Sequence, residues 1–388
     1  MSEIKVNSIK GVGATNAAIT VNNSDGTCTA NITNNLSNRN LIINGAMQVA
    51  QRGTSSTSTG YQTVDRIQTF TNDDDEAPTY EQVNVASSTT PYSLGFRKAF
   101  KVTNGNQTGG ADAGDYIIVR HKIEAQNLAN SGWNYTSASS FVTLSFWVKA
   151  SVAQNYYFSI LSSDGTLQNF PMETGSLTAD TWTKITKTIP GASGVQFNND
   201  NGIGIELDWW PFAGTSYTSS GVALNTWAAY ASGTRFPDHT STWWTTNDAT
   251  FEITGVQLEV GSVATDFEHR SYGQELELCR RYYQNIMIGS ASSGLSGSPY
   301  TTSSGIFCPI LFSPTMRTPP TVISSSTSGH FRTRHGDLVN FDGFTGFNTV
   351  SVNGGTLIST ESGTKVVGDF YWVESNNSGT VLAVNAEL

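Results

Sequence analysis

Three residues spaced two apart carry the most chemistry in this sequence: Glu206, Asp208 and Trp210, within Ile203-Gly-Ile-Glu-Leu-Asp-Trp-Trp210. In an extended chain alternate side chains share a face, so Ile203, Ile205, Leu207 and Trp209 point one way and Glu206, Asp208 and Trp210 the other. With the apolar set in a core, an indole stands beside two carboxylates, a platform for a polar ligand. A ring face stacks on the C–H surface of a sugar while nearby polar groups meet its hydroxyls. Trp243 and Trp244 are adjacent and must split between faces when extended, which offers Trp244 for the same role. Trp210 and Trp244 suit a subunit interface equally well, because aromatic residues are enriched there too. Trp147 and Trp209 are expected in the core. The candidate glycan-binding set is Trp210, Trp244, Glu206 and Asp208.

Signals for covalent chemistry are poor. The chain has no His-Glu-x-x-His, no Gly-x-Ser-x-Gly elbow and no Walker-type phosphate loop. Glycan cleavage needs two carboxylates facing one sugar at a controlled separation, whereas neighbours on one strand face are ordinary solvent-side residues. The acidic run Asp73-Asp-Asp-Glu76 lacks the glycine-spaced loop of a calcium site and reads as a solvated turn. His330 and His335 read as surface histidines. Cys28, Cys279 and Cys308 are far apart and form no C-x-x-C pair, so neither a disulfide framework nor zinc is indicated. The expectation is a protein that is not an enzyme, with no catalytic residue, metal or cofactor.

Charge narrows the partners. A net charge of −10 argues against a nucleic-acid surface, which needs clustered Lys and Arg. Arg280-Arg281 and the Arg332/Arg334 pair are the densest basic spots and read as solvated or intersubunit pairing sites. The start Met1-Ser-Glu-Ile-Lys has no long apolar run, so no secretion signal is expected. No segment is long and apolar enough to insert in a membrane.

The elements that must position these residues are strands. Only 13% of the 388 residues are charged, 37% are hydrophobic, and 37 are glycine. Ser, Thr, Asn and Gly dominate the remainder, which favours many short strands joined by turns. Residues 1–37 form a separate segment in which Ile4, Val6, Ile9, Ile19 and Val21 lie on short alternating strands. So few residues cannot bury a core alone, so they are either disordered or gain one from identical copies or a partner, and the alternation favours the second. The main domain spans 38–270, with Phe141–Lys149 placing Val142, Leu144, Phe146 and Val148 on its inner face. In the strand around 250–260 the apolar phase slips at Thr254-Gly255, which predicts a bulge. Ser271 is read as the cap of a helix with Tyr272, Leu276, Cys279 and Tyr283 on one stripe, within a connector 271–288. Gly289–Pro299 reads as a linker, and 289–388 as a second, small β-sandwich.

Several of these strings resemble a family of bacteriophage tail-fibre and virion structural proteins that carry a carbohydrate-binding-module-like jelly roll. They are Asn40-Leu-Ile-Ile-Asn-Gly, Leu144-Ser-Phe-Trp-Val-Lys, Ile253-Thr-Gly-Val-Gln-Leu-Glu, Glu268-His-Arg-Ser-Tyr-Gly-Gln-Glu-Leu and Cys279-Arg-Arg-Tyr-Tyr. Residues 1–37 also resemble the N-terminal attachment peptide of a trimeric fibre. The resemblance covers about 38–284, and Phe312-Ser-Pro-Thr-Met-Arg-Thr-Pro-Pro-Thr-Val looks like the second module of these proteins. It implies an all-β chain: an N-terminal attachment peptide, a central antiparallel jelly-roll β-sandwich closed by a short helix, and a C-terminal small β-sandwich. It further implies a homotrimer in the virion, docked on a phage tail protein through residues 1–37 and presenting β-domains to a host-surface glycan. A virion glycan depolymerase and a head fibre or capsid decoration protein are the alternatives. Many such binding modules hold a structural calcium through a carboxylate after the opening Asn-Gly, where this chain has Met47 and Gln48.

Overall fold

Val142, Leu144, Phe146 and Val148 are fully buried, as their alternation predicts, because the Phe141–Ala150 strand lies inside a sandwich of two sheets. In this computed structural model the described residues are 6–9, 12, 19–21, 28–30, 38–289, 294–295, 299–302, 305–327, 329–335, 337–359, 367–368 and 370–388. The first sheet runs Thr183–Pro190, Phe141–Ala150, Thr250–Val260, Lys98–Thr103, Thr79–Asn84 and Ser55–Ser56. The second runs Ala228–Ala229, Gln168–Ser176, Asn155–Ser162, Ile203–Ala213, Tyr116–Glu124 and Ile67–Asn72. Every pairing is antiparallel and the chain passes back and forth between the two sheets, giving the expected jelly-roll β-sandwich. Phe146 meets Phe158 and Trp209 edge-on across the core, at centroid distances of 5.1 and 5.6 Å.

The phase slip in the closing strand is a bulge. Pairing of Thr250–Val260 with Phe141–Ala150 shifts between Thr254 and Gln257. Gly255 sits there at φ +63°, and a Cβ on it would fall 2.6 Å from the Phe96 ring. Trp147 departs from expectation: it faces away from the sandwich core, half-buried against a satellite cluster that includes Phe96 and Trp182. Its parity, opposite to Phe146 and Val148, is the physical reason.

Polar side chains join the opening segment to the closing one. Glu268 accepts from the Asn40 amide at 2.8 Å and Glu275 from the Asn44 amide at 2.5 Å, while Arg270 donates to the carbonyls of Ile42 and Asn40. The Asn40 side chain bridges to Val256 and Leu258. Ser271 caps the helix Tyr272–Arg280 through a reciprocal bond with Gln274. The predicted stripe is only partly realised. Tyr272 is exposed, and Tyr283 lies past the helix end, in the strand Tyr283–Ile288.

That strand corrects the domain boundaries. Tyr283–Ile288 pairs with Val381–Asn385, so residues assigned to the connector belong to the C-terminal unit. Sequence-distant backbone pairing, invisible to local periodicity, decides this. The unit's small sheets share one core that includes Ile306, Cys308, Phe331, Phe341, Leu357 and Val384. It is docked on the jelly roll: Arg66 is fully buried, 3.5 Å from the Tyr282 ring centroid, and bonds Glu387 and the Lys122 carbonyl. Arg281 and Tyr282 both donate to Glu124, whose carboxyl is held below its usual range because these bonds outweigh its burial.

In residues 1–37 the described strands Ser8–Ile9, Ile19–Val21 and Cys28–Ala30 form a small antiparallel sheet. Val6 and Ile9 are exposed, Ile19 and Val21 are half-buried, and Ile4 lies outside the described residues. Met47 is buried in the jelly-roll core. A thioether is no ligand for a hard cation, and Gln48 offers only a neutral amide oxygen, so the carboxylate that the family resemblance implies for a calcium here is missing.

Gly255→Ala tests the bulge. The left-handed backbone and the Phe96 contact should make it cost roughly 1–3 kcal/mol in urea denaturation. A neutral result would show that the strand slips register freely.

Candidate ligand-binding face

The sheet register aligns side chains from separate strands into rows on the outer face of the second sheet. Gln68 lies beside Arg120, Arg120 beside Asp208, and Asp208 beside Ser159. One row over, Lys122, Glu206, Leu161 and Asn169 are neighbours. Residues two apart on a strand share a face, so sequence parity placed Glu206, Asp208 and Trp210 correctly together.

Arg120 organises this face. Its Nε and Nη2 donate to the two oxygens of Asp208 at 2.6 and 2.7 Å, and Nη1 lies 2.8 Å from Glu206. Asp208 is fully buried, so the bidentate clasp is what keeps its charge tolerable. Burial pushes the Glu206 carboxyl above its usual range, against the attraction of Arg120. Arg235 adds a second cation, with Nη1 3.5 Å from Asp208 and Nη2 donating to the Tyr230 hydroxyl at 2.6 Å.

The segment between the Ile203–Ala213 and Thr250–Val260 strands folds back over the same face. It brings Tyr217 within 5.5 Å of the Trp210 ring centroid and Phe236 within 5.5 Å of both Trp210 and Tyr157. Trp210 is therefore only 2% exposed and is wrapped by Tyr116, Tyr217 and Phe236, so its ring face is not an open stacking platform. Trp244 does not lie near this face's aromatic cluster. It is 1% exposed in the main core, stacked on Phe212 at 5.1 Å with its indole N–H on the Gly110 carbonyl. Both members of Trp243-Trp244 are buried because the segment forms a turn rather than an extended strand, which removes the premise that they must split.

Several buried polar atoms on this face have no protein partner among the described residues: Gln68 Oε1, Ser159 Oγ, Asn169 Oδ1, Trp210 Nε1 and Arg235 Nε. Each such group costs about 1–3 kcal/mol unless something else bonds it. Beside Asn169 and Pro171 a cavity of about 360 Å³ opens under Ser219–Ala223 and Thr234. A larger cavity of about 600 Å³ lies elsewhere, between Asn38–Leu41, Gln126–Ser131 and Arg270. Its polar groups already serve the fold, since Arg39 binds Thr265 and Asp266, and Asn130 binds Gln126 and Asn199.

The sequence reading missed Arg120, Gln68, Arg235 and Tyr230. Arg120 was findable: it and Lys122 share the parity opposite to Ile117 and Val119, so they must meet whatever polar strand lies alongside. Arg235 and Tyr230 come from an irregular segment without periodicity. His330 is buried rather than on the surface, and the side chain of His335 lies outside the described residues. Asp75 and Glu76 of the acidic run accept backbone N–H bonds from Gly109 and Asn106, tying two turns together.

No family model matches the chain, and no curated protein matches it. Among solved structures it aligns over 57% of its length with the enzymatically active domain of tailspike protein 4 from bacteriophage CBA120, at 12% identity and a TM-score of 0.30, spanning 21% of that chain. The N-terminal cellulose-binding domain of Cellulomonas fimi β-1,4-glucanase C aligns with 56% of the chain and 99% of its own, at 10% identity and 0.25. The N-terminal CBM22-1–CBM22-2 tandem domain of Paenibacillus barcinonensis Xyn10C aligns with 89% of the chain and 96% of its own, at 11% identity and 0.28. Likenesses this distant assign no ligand or activity to the chain.

Two substitutions test the electrostatics of the face. Asp208→Ala leaves Arg120 without its bidentate partner and should cost about 3–5 kcal/mol in urea denaturation; a loss under about 1 kcal/mol would mean that Glu206 alone satisfies it. Glu206 has the opposite sign. With its folded pKa raised, the folded state holds more protons than the unfolded one, so stability falls as pH rises through that window. Glu206→Gln should therefore raise Tm at pH 7 and leave it unchanged near pH 4, where the glutamate is already protonated. A fall at pH 7 would show that the Arg120 contact outweighs desolvation.

Proposed function

We propose that this protein is a structural subunit of a phage tail fibre that recognises a host-surface glycan through the outer face of its second jelly-roll sheet, without covalent chemistry. The observation that carries the glycan reading is the polar outer face built around the Arg120–Asp208–Glu206 network, with a cavity of about 360 Å³ opening at its Asn169 side. A saccharide supplies hydroxyls that donate and accept, which suits a face carrying both donors and acceptors. Half-open Tyr116, Tyr217 and Tyr230 offer ring surface beside them.

Binding is favoured over cleavage by the same network. Glu206 and Asp208 converge on one guanidinium instead of facing each other across a sugar-sized gap. Attachment to the tail is assigned to residues 1–37, whose described residues expose Val6 and Ile9 and so suit burial against other copies in a homotrimer or against a tail protein. Three copies per fibre would let modest affinities multiply.

The test is an array of bacterial surface saccharides probed with the full chain and with Gln68→Ala and Tyr230→Phe, which leave the Arg120–Asp208 clasp intact. Selective binding should weaken about tenfold in the variants, as for one lost hydrogen bond near a charge. Equal binding by the variants would move the site elsewhere, and new reducing ends on incubation would establish a depolymerase.

A further inference from the structure

The C-terminal unit carries a second face with a different character. Phe331–His335 pairs with Asp337–Phe341 on one side and with Trp372–Ser375 on the other. Phe331, Phe341 and Val373 are buried in the core, so the alternate residues face outward. The register puts Leu338, Arg334 and Trp372 in one outward row and Asn340, Arg332 and Glu374 in the next.

Trp372 is 53% exposed, and Phe370, two residues earlier, is 65% exposed. The Trp372 ring lies against the backbone of Gly294, where a Cβ would come within 2.0 Å of Cζ2. The indole is thus supported on one side by a residue that leaves room for it, and open on the other. Arg332 and Arg334 both bond Oε1 of Glu374, and Arg332 also reaches Asn376 at 2.9 Å. Arg334 uses only Nη2, its side chain is 54% exposed, and its Nε and Nη1 have no protein partner among the described residues. Among the described side chains, two guanidinium groups against one carboxylate leave this face with an excess positive charge, on a chain whose net charge is −10.

We propose that this face binds an acidic saccharide, with a ring carboxylate on Arg334 and the sugar's C–H face stacked on Trp372. The two side chains sit directly opposite each other across paired strands, about 5 Å apart at Cβ. An ionised group attached to a pyranose ring therefore meets the guanidinium while the ring covers the indole. Charge selects this occupant over a second copy of the chain meeting it face to face, which would oppose Arg334 to Arg334. The site is separate from the jelly-roll face and does not depend on that reading.

The test titrates the full chain with tetragalacturonate and, in parallel, with uncharged cellotetraose, at low and at about 0.5 M salt. Saturable binding of tetragalacturonate alone is expected, weakened about tenfold or more by high salt, by Arg334→Ala and by Trp372→Ala, and retained in part by Trp372→Phe. Gln68→Ala should leave it unchanged, which separates this site from the jelly-roll face. The proposal is overturned if tetragalacturonate does not bind, if cellotetraose binds as well, or if Arg334→Ala binds equally. Concentration-dependent self-association abolished by Trp372→Ala would also overturn it, by showing that another copy covers the face.

Discussion

A guanidinium with no access to solvent dictates much of how this molecule is put together. Arg66 is fully buried and cannot lose its proton, so its charge must be met by the protein. The partners come from three places: the Lys122 carbonyl of the jelly roll, the Tyr282 ring just after the capped helix, and Glu387 from the far end of the C-terminal unit. Arg52 reinforces the arrangement from beside it, over the Tyr283 ring at 3.7 Å and on Glu387 at 3.1 Å. Docking takes this charge out of water, and the cost is met only because all three partners close on it together, so jelly roll, helix and C-terminal unit are tied through one residue. The apparent linker after the helix therefore does not join two independent beads.

The same logic, at smaller scale, shapes the outer sheet face. Asp208 is buried on a strand whose parity points it away from the core, and Arg120 on the adjoining strand answers it with two parallel bonds. The strands beside them, held in register by the shared core, bring Ser159 and Gln68 into the same row without giving them partners. Core packing decides where these groups sit. At the other end of the jelly roll, Glu268, Arg270 and Glu275 grip the Asn40–Asn44 segment, which explains why two strings more than two hundred residues apart act together.

Much of this was legible in the chain itself, and the divisions have physical causes. Alternation over two-residue periods identified the inner strands, the bulge at Gly255 and the shared face of Glu206, Asp208 and Trp210, because period and parity are local properties. The capping residue Ser271 was equally local. What failed depended on what lay overhead. Trp210 has the parity of a surface residue, but an irregular segment carrying Tyr217 and Phe236 folds across it, and no periodicity announces that cover. Trp244 was treated as part of a strand and lies in a turn whose indole fills the core. The boundary at 288/289 was misplaced because the strand Tyr283–Ile288 pairs with one about a hundred residues away.

Residues 1–37 carry the part of the account that reaches beyond one chain. Their described strands pair with one another, yet every buried core cluster among the described residues lies beyond Asn40. Val6 and Ile9 are exposed in the single chain, and their burial would come from the assembly proposed above. Mass photometry of the full chain beside a version lacking residues 1–37 measures this directly. The fibre reading predicts a trimer for the full chain and loss of that trimer on truncation; a monodisperse monomer in both samples would contradict it.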